Sequence, residues 1–233
     1  MTNIKYLLFS RLYNVTISSQ EIVNNRFMQA AGYQRIRMER ADIGIPIDIH
    51  RTSVHGVPLY WFPMRVTYNR EVSVKEGLDR LSIENFLPMR YEIVGEGEKR
   101  RRMLVPAVHN LVFVRSTQPR ITELKMTRRE FLPMRYMMRH ETADTPRQIL
   151  RVPDKQMEDF IRVASVQDDS VMFLDYSDYL NKVGTRVRIT EGQFAGVEGT
   201  VKRIKNNRRV VVQIEGVAAV AITYVPAHAL IVL

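Results

Sequence analysis

Cysteine is absent from the sequence, and its absence excludes disulfides, thiolate zinc sites and cysteine nucleophiles together. Histidine is scarce. His50, His55, His109, His140 and His228 are scattered, and none forms His-x-x-x-His or another metal-ligand spacing. There is no Gly-x-x-x-x-Gly-Lys phosphate loop and no Gly-x-Ser-x-Gly nucleophile turn. Asp168 and Asp169 are adjacent, so their side chains diverge rather than converge on one proton. No catalytic residue, metal or cofactor is expected, and the chain does not read as an enzyme. It also lacks any run near the ~20 apolar residues that a membrane helix needs. Tyr6 to Phe9 is too short for a secretory core. A reducing cytoplasm is the expected compartment, with no membrane partner.

What the chain has is positive charge. It carries 35 Lys and Arg against 25 Asp and Glu, a net +10, and basic chains gain affinity for polyanions by displacing counterions from phosphates. Nucleic acid, or a complex containing it, is the leading partner class. Three segments share the excess: 1–55 is +3, 56–165 is +6 and 184–233 is +4. Between them 166–183 is −3, with Asp168, Asp169, Asp175 and Asp178 against Lys182. The change of sign marks an acidic linker, read as solvated, with one or two docking amphipathic turns through Phe173, Tyr176, Tyr179 and Leu180 as the alternative.

The middle segment alternates elements. Leu59 to Thr67 reads as a strand, Arg70 to Ser82 as a helix with Val74, Leu78 and Leu81 on one face, and Asn85 to Val94 as a strand. Val108 to Arg115, Pro119 to Arg129 and Phe131 to Arg139 repeat the pattern as strand, helix and strand, so the order is β-α-β-β-α-β, the ferredoxin-like one. A last helix follows Pro153, with Met157, Phe160, Ile161 and Ala164 at helical spacing. The hexapeptide Phe-Leu-Pro-Met-Arg-Tyr occurs twice, at Phe86 to Tyr91 and Phe131 to Tyr136. The proline in each copy argues against a central strand, because it cannot donate to the ladder.

From Val183 to Val201 the sequence reads Val-Gly-Thr-Arg-Val-Arg-Ile-Thr-Glu-Gly-Gln-Phe-Ala-Gly-Val-Glu-Gly-Thr-Val. Val187 and Ile189 alternate with Arg186 and Arg188 as in a half-buried strand, and Gly192, Gly196 and Gly199 describe a tightly curved sheet. Val201 to Ile204, Val210 to Ile214, Val220 to Thr223 and Leu230 to Val232 continue as short β-branched runs, with a hairpin turn at Asn206-Asn207. The stretch resembles a KOW motif, which implies a small SH3-like β-barrel over 184–233. An aromatic in the Gly-Gln-Phe-Ala-Gly turn, Phe194, is either tucked under the barrel or displayed as an anchor.

A ferredoxin-like domain near Trp61-Phe62, a linker and a C-terminal KOW barrel together resemble the NusG family of transcription elongation factors. Asn85-Phe86-Leu87-Pro88, the run from Val105-Pro106 to Val114, Val152 to Met157, and Arg208 to Gly216 are similar to the specialised UpxY-type antiterminators. The expected fold is therefore α+β: a 56–165 NusG N-terminal-like (NGN-type) domain and a KOW domain, preceded by a 1–55 extension. The resemblance implies binding to the clamp region of RNA polymerase through an apolar patch, for which Trp61, Phe86, Leu87, Pro88, Pro106 and Phe113 are candidates; the alternative for each is plain core, because alternate strand residues point inward. It also implies contact with non-template DNA or nascent RNA. Tyr68, Asn69, Arg70, Lys75 and Arg80 are the candidates there, a solvated helix face with a Glu76 to Arg80 pair being the alternative. The cation run Lys99, Arg100, Arg101 and Arg102 is a further phosphate-binding candidate. In the barrel, Phe194, Ala195, Gly196, Ile214 and Glu215 are the implied contacts with a ribosomal protein or Rho; the family usually has an aromatic in place of Glu215, which weakens the case for Rho. On a different reading, the chain is a KOW-containing RNA-binding or ribosome-associated protein, which would favour exposed aromatics on a basic face. In the extension, Ser18 to Glu21 reads as a capping box ahead of a helical face of Val23, Phe27, Ala30 and Ala31.

Overall fold

The computed structural model describes residues 57–97, 100–139, 147–179 and 183–233, all within one compact unit, Asp48–Leu233. The helix expected after Ser18, the extension and Lys99 lie outside the described residues.

The first sheet is built from β1 (Tyr60–Val66), β2 (Asn85–Phe86), β5 (Leu111–Ser116) and β6 (Met134–Tyr136) in the order β2-β5-β1-β6, all neighbours antiparallel. Helices α1 (Glu71–Arg80) and α2 (Gln118–Thr127) connect its strands. Alternate residues of β1 face one way, so Phe62, Met64 and Val66 meet Val74 and Leu78 of α1 and Ile121 and Leu124 of α2 in one core. Thr117 caps α2 by accepting from the Arg120 amide, and Pro119 falls where its missing N–H costs nothing. Both copies of the hexapeptide lie at sheet edges, and Pro88 and Pro133 fall outside the strands.

The strand expected over Asn85 to Val94 is broken. After β2 the chain leaves the sheet at Leu87-Pro88, and among the described residues β3 (Met89–Val94) pairs only with β4 (Arg101–Pro106), as a separate two-stranded ribbon. Pro88 carries no N–H to extend the β2 ladder, which is a physical reason for the break.

On the other face of the sheet lies α3 (Asp154–Ala164), which buries Met157, Phe160, Val163 and Ala164. Ile161, expected on the buried stripe, is half-exposed and Val163 takes its place. Arg115, buried in β5, pairs with Glu84 at 3.1 Å and with Asp154 in the first turn of α3 at 3.5 Å, tying helix to sheet.

The second sheet has the order β12-β8-β9-β10-β11-β7 and is antiparallel throughout: β7 (Val171–Leu174), β8 (Thr185–Ile189), β9 (Glu198–Ile204), β10 (Asn207–Ile214), β11 (Ala218–Ile222) and β12 (Leu230–Val232). The hairpin turn sits one residue earlier than expected, at Lys205-Asn206, both at positive φ as a two-residue turn requires. Gly199 is needed for close approach: a Cβ there would meet the Val211 carbonyl oxygen at 2.9 Å. The acidic stretch 166–183 is not simply a solvated linker. Its Val171–Leu174 adds a sixth strand beside β11, and a one-turn helix, α4 (Tyr176–Tyr179), follows, with Tyr179 buried. The carboxylates flank this apolar run without interrupting it.

Candidate nucleic-acid and protein interfaces

At the start of α1 the backbone turns sharply. Tyr68 and Asn69 have φ of 66° and 51°, ordinary for asparagine and strained for tyrosine. The turn is held on both sides: Val66 donates to the Asn110 carbonyl at 2.9 Å, and the Asn110 amide donates to the buried carboxylate of Glu71. The result is that Tyr68 stands 83% exposed. It borders an open cleft of about 420 Å³ with Thr67, Arg70, Arg129, Leu132, Pro133 and Arg135. Among the described residues no carboxylate pairs with Arg70, Arg129 or Arg135, and Arg135 instead donates to the Leu132 and Met134 carbonyls. An exposed ring beside three cations that no carboxylate neutralises among the described residues can stack a base and hold its phosphates.

Of the candidates at and on α1, Tyr68 and Arg70 line this cleft; Asn69, between them in the turn, does not, and neither do Lys75 and Arg80. Lys75 is bound to Asp79 at 2.6 Å, and Arg80 reaches Glu130 at 2.7 Å rather than Glu76. Arg129 and Arg135 were not singled out in the sequence. They lie some sixty residues from Arg70, and the only signal was their place in and beside the second hexapeptide. Arg100, Arg101 and Arg102 sit on the β3–β4 ribbon, Arg102 with its guanidinium 4.0 Å from the centre of the Tyr91 ring.

The six apolar candidates do not form one exposed patch. Trp61, Leu87, Pro88 and Phe113 are buried, while Phe86 and Pro106 are half-buried. Leu87 belongs to the core under α1 and α2. Phe86 and Phe113 face the opposite way and meet Phe160 of α3, with ring centres 6.3 and 5.6 Å from it. Trp61 is held by its backbone, which accepts from Val152 at 2.9 Å. In this arrangement α3 occupies the aromatic face of the sheet.

The same helix holds the loop between β8 and β9 and the end of β10. Arg162 donates to the carbonyls of Gln193 and Ala195 at 2.8 and 2.7 Å, Lys155 to that of Gly196 at 2.9 Å, and Gln156 to that of Gln213 at 2.9 Å. Asp159 accepts from Lys155 and from the Glu198 amide. Burial pushes its carboxyl above the usual range, and Lys155 draws it back only in part. Glu198 is held below that range, chiefly by its hydrogen bonds with Arg188. Phe194 is tucked in, at 6% exposure, and Ile214 is buried; Gly196 and Glu215 remain at the surface. Of the histidines, His109 and His228 are described and exposed, and among the described residues no three His, Asp or Glu side chains are placed to hold a metal.

No curated protein matches the chain. Residues 59–161 match the family model described as "NusG: Transcription termination factor nusG", a span that runs from β1 through most of α3 and contains the cleft, the ribbon and the aromatic face. Residues 59–161 are thus similar to a NusG domain.

Proposed function

We propose that the chain is a specialised elongation factor, of the UpxY-type antiterminating kind, that binds RNA polymerase and promotes processive transcription of particular operons, capsular polysaccharide operons among them. In this reading 56–165 is a ferredoxin-like NGN domain, which the β2-β5-β1-β6 antiparallel order supports, and the second sheet is a KOW barrel extended by β7. The factor acts by binding alone, with no reaction and no cofactor of its own, in the cytoplasm where transcription runs.

The observation that carries the reading is the cleft at Tyr68, Arg70, Arg129 and Arg135 within the span similar to a NusG domain. Exposed non-template DNA in the transcription bubble offers the unpaired bases and phosphates that a ring among such cations takes up. Arg70→Ser with Arg129→Ser is expected to weaken binding of the full chain to a single-stranded DNA about 10-fold and to flatten its salt dependence. In a co-purification at ~0.15 M salt, where exposed charge attraction is substantially screened, the full chain is expected to remain on core RNA polymerase. Absence from the polymerase, with tight binding of structured RNA instead, would favour the ribosome-associated reading.

A protein partner enters through the barrel loop in this account, a ribosomal protein more readily than Rho. Glu215, exposed at the β10–β11 turn, supplies charge where Rho contact would use an aromatic.

A further inference from the structure

Beyond Met89, which packs on the first core, the β3–β4 ribbon stands apart from the cores. Among the described residues its strands pair with each other alone, which leaves their outer edges unpaired there, and a two-stranded ribbon by itself is marginal in water. Alternate residues share a face. Met89, Tyr91 and Ile93 lie opposite Pro106, Leu104 and Arg102 on one side, and Tyr91, Ile93 and Leu104 are 43%, 61% and 42% exposed. The other face adds Val94 and Met103, also exposed. Met89 packs against the first core, whereas Tyr91, Ile93, Val94, Met103 and Leu104 belong to neither core cluster among the described residues. Contiguous apolar surface of this kind marks an interaction site.

The composition selects the partner. Tyr, Met and Arg are the residues enriched at the centres of protein interfaces. Single-stranded nucleic acid would need an open ring to stack on, and Arg102 covers one face of Tyr91 while Ile93 and Leu104 offer neither ring nor donor. Charge points the same way: Arg90, Arg100, Arg101 and Arg102 outnumber Glu92 and Glu96, and Glu92 already pairs with Arg90. Two copies of so basic a ribbon would repel each other, whereas a surface rimmed by carboxylates would be attracted.

We propose that the β3–β4 ribbon docks through Tyr91, Ile93 and Leu104 on an apolar strip of a protein partner rimmed by carboxylates, and that in transcription this strip belongs to RNA polymerase. The naming of the polymerase rests on the function proposed above. The test compares the full chain with its Ile93→Ser/Leu104→Ser variant for affinity to the cognate core RNA polymerase, with melting curves as the folding control. A loss of at least about 10-fold is expected, as for removal of two anchor residues, with melting unchanged. Arg101→Glu/Arg102→Glu, which removes no apolar group, is expected to weaken binding and to reduce its salt dependence. Wild-type chain that binds polymerase while both variants bind equally well would overturn the docking proposal alone. Wild-type chain that binds no polymerase would overturn the functional reading, and with it the identity of the partner. Variants that keep polymerase affinity and lose DNA affinity, or that only abolish self-association in sedimentation, would show the ribbon to be a nucleic-acid element or a dimer contact and would overturn the proposal.

Discussion

The same six residues, Phe-Leu-Pro-Met-Arg-Tyr, are folded twice in this chain with the burial of the phenylalanine and the leucine exchanged. In the first copy Leu87 is in the core at 4% exposure and Phe86 is half-buried; in the second Phe131 is fully buried and Leu132 is 52% exposed. Met134 is buried where Met89 is only half so. Tyr91 is exposed under an arginine, while Tyr136 packs edge-on against Phe62 and donates to the Gln118 carbonyl at 3.1 Å. The cause lies in what precedes each copy. A 3-10 turn, Arg129–Phe131, drives the Phe131 ring against α1, where a Cβ at Gly77 would stand 3.0 Å from it. The first copy enters as strand β2 instead, which turns Phe86 outward to α3 and Leu87 inward. An identical local sequence thus leaves the choice of face to its neighbours.

The phenylalanines should separate the copies most widely. Phe131→Ala is expected to cost about 3–5 kcal/mol in urea unfolding, the range for emptying a full aromatic site. Phe86→Ala, from a half-buried position, should cost about 1–2 kcal/mol. Equal losses would contradict the exchange.

For the leucines the order reverses. Leu87→Ala is expected to cost about 2–5 kcal/mol, whereas Leu132→Ala should stay within about 0.5 kcal/mol of wild type.

The tyrosines give the smallest effect and a signature in pH. Tyr136→Phe removes the hydroxyl shared with Gln118 and Thr122, for a loss of about 1 kcal/mol, and Tyr91→Phe should leave stability unchanged. Burial raises the Tyr136 phenol above its ordinary value. A raised folded pKa contributes stability that is present below the ordinary value near ~10 and is lost as pH rises through the raised one. Wild-type melting temperature should therefore fall more steeply than that of Tyr136→Phe on the alkaline side, and parallel curves would contradict the assignment.

Much of the fold was legible because its signals are local. The 3.6-residue spacing of Val74 and Leu78, the helix opening at Pro119, and the β-branched runs from Val187 onward each mark one element by themselves. The hexapeptide prolines likewise kept both copies off central strands. What was hidden depends on contacts between distant residues. Val171–Leu174 reads as part of an acidic stretch until β11, wholly buried, supplies an edge to pair with. The cleft joins Arg70 to Arg129 and Arg135 through the fold alone. Phe86 and Phe113 read as patch residues, and nothing in their own sequence indicates that α3 would cover them. Arg115 carries one signal, a cation directly after the apolar run Leu111 to Val114. Burial requires partners for such a charge, and Glu84 and Asp154 supply them.

Single-round transcription through a terminator, with the full chain added to the cognate RNA polymerase, tests the account most directly. The account predicts more read-through product, reduced by Arg70→Ser/Arg129→Ser in protein that melts as wild type. Unchanged read-through in the presence of chain shown to be bound to the elongating polymerase would contradict it.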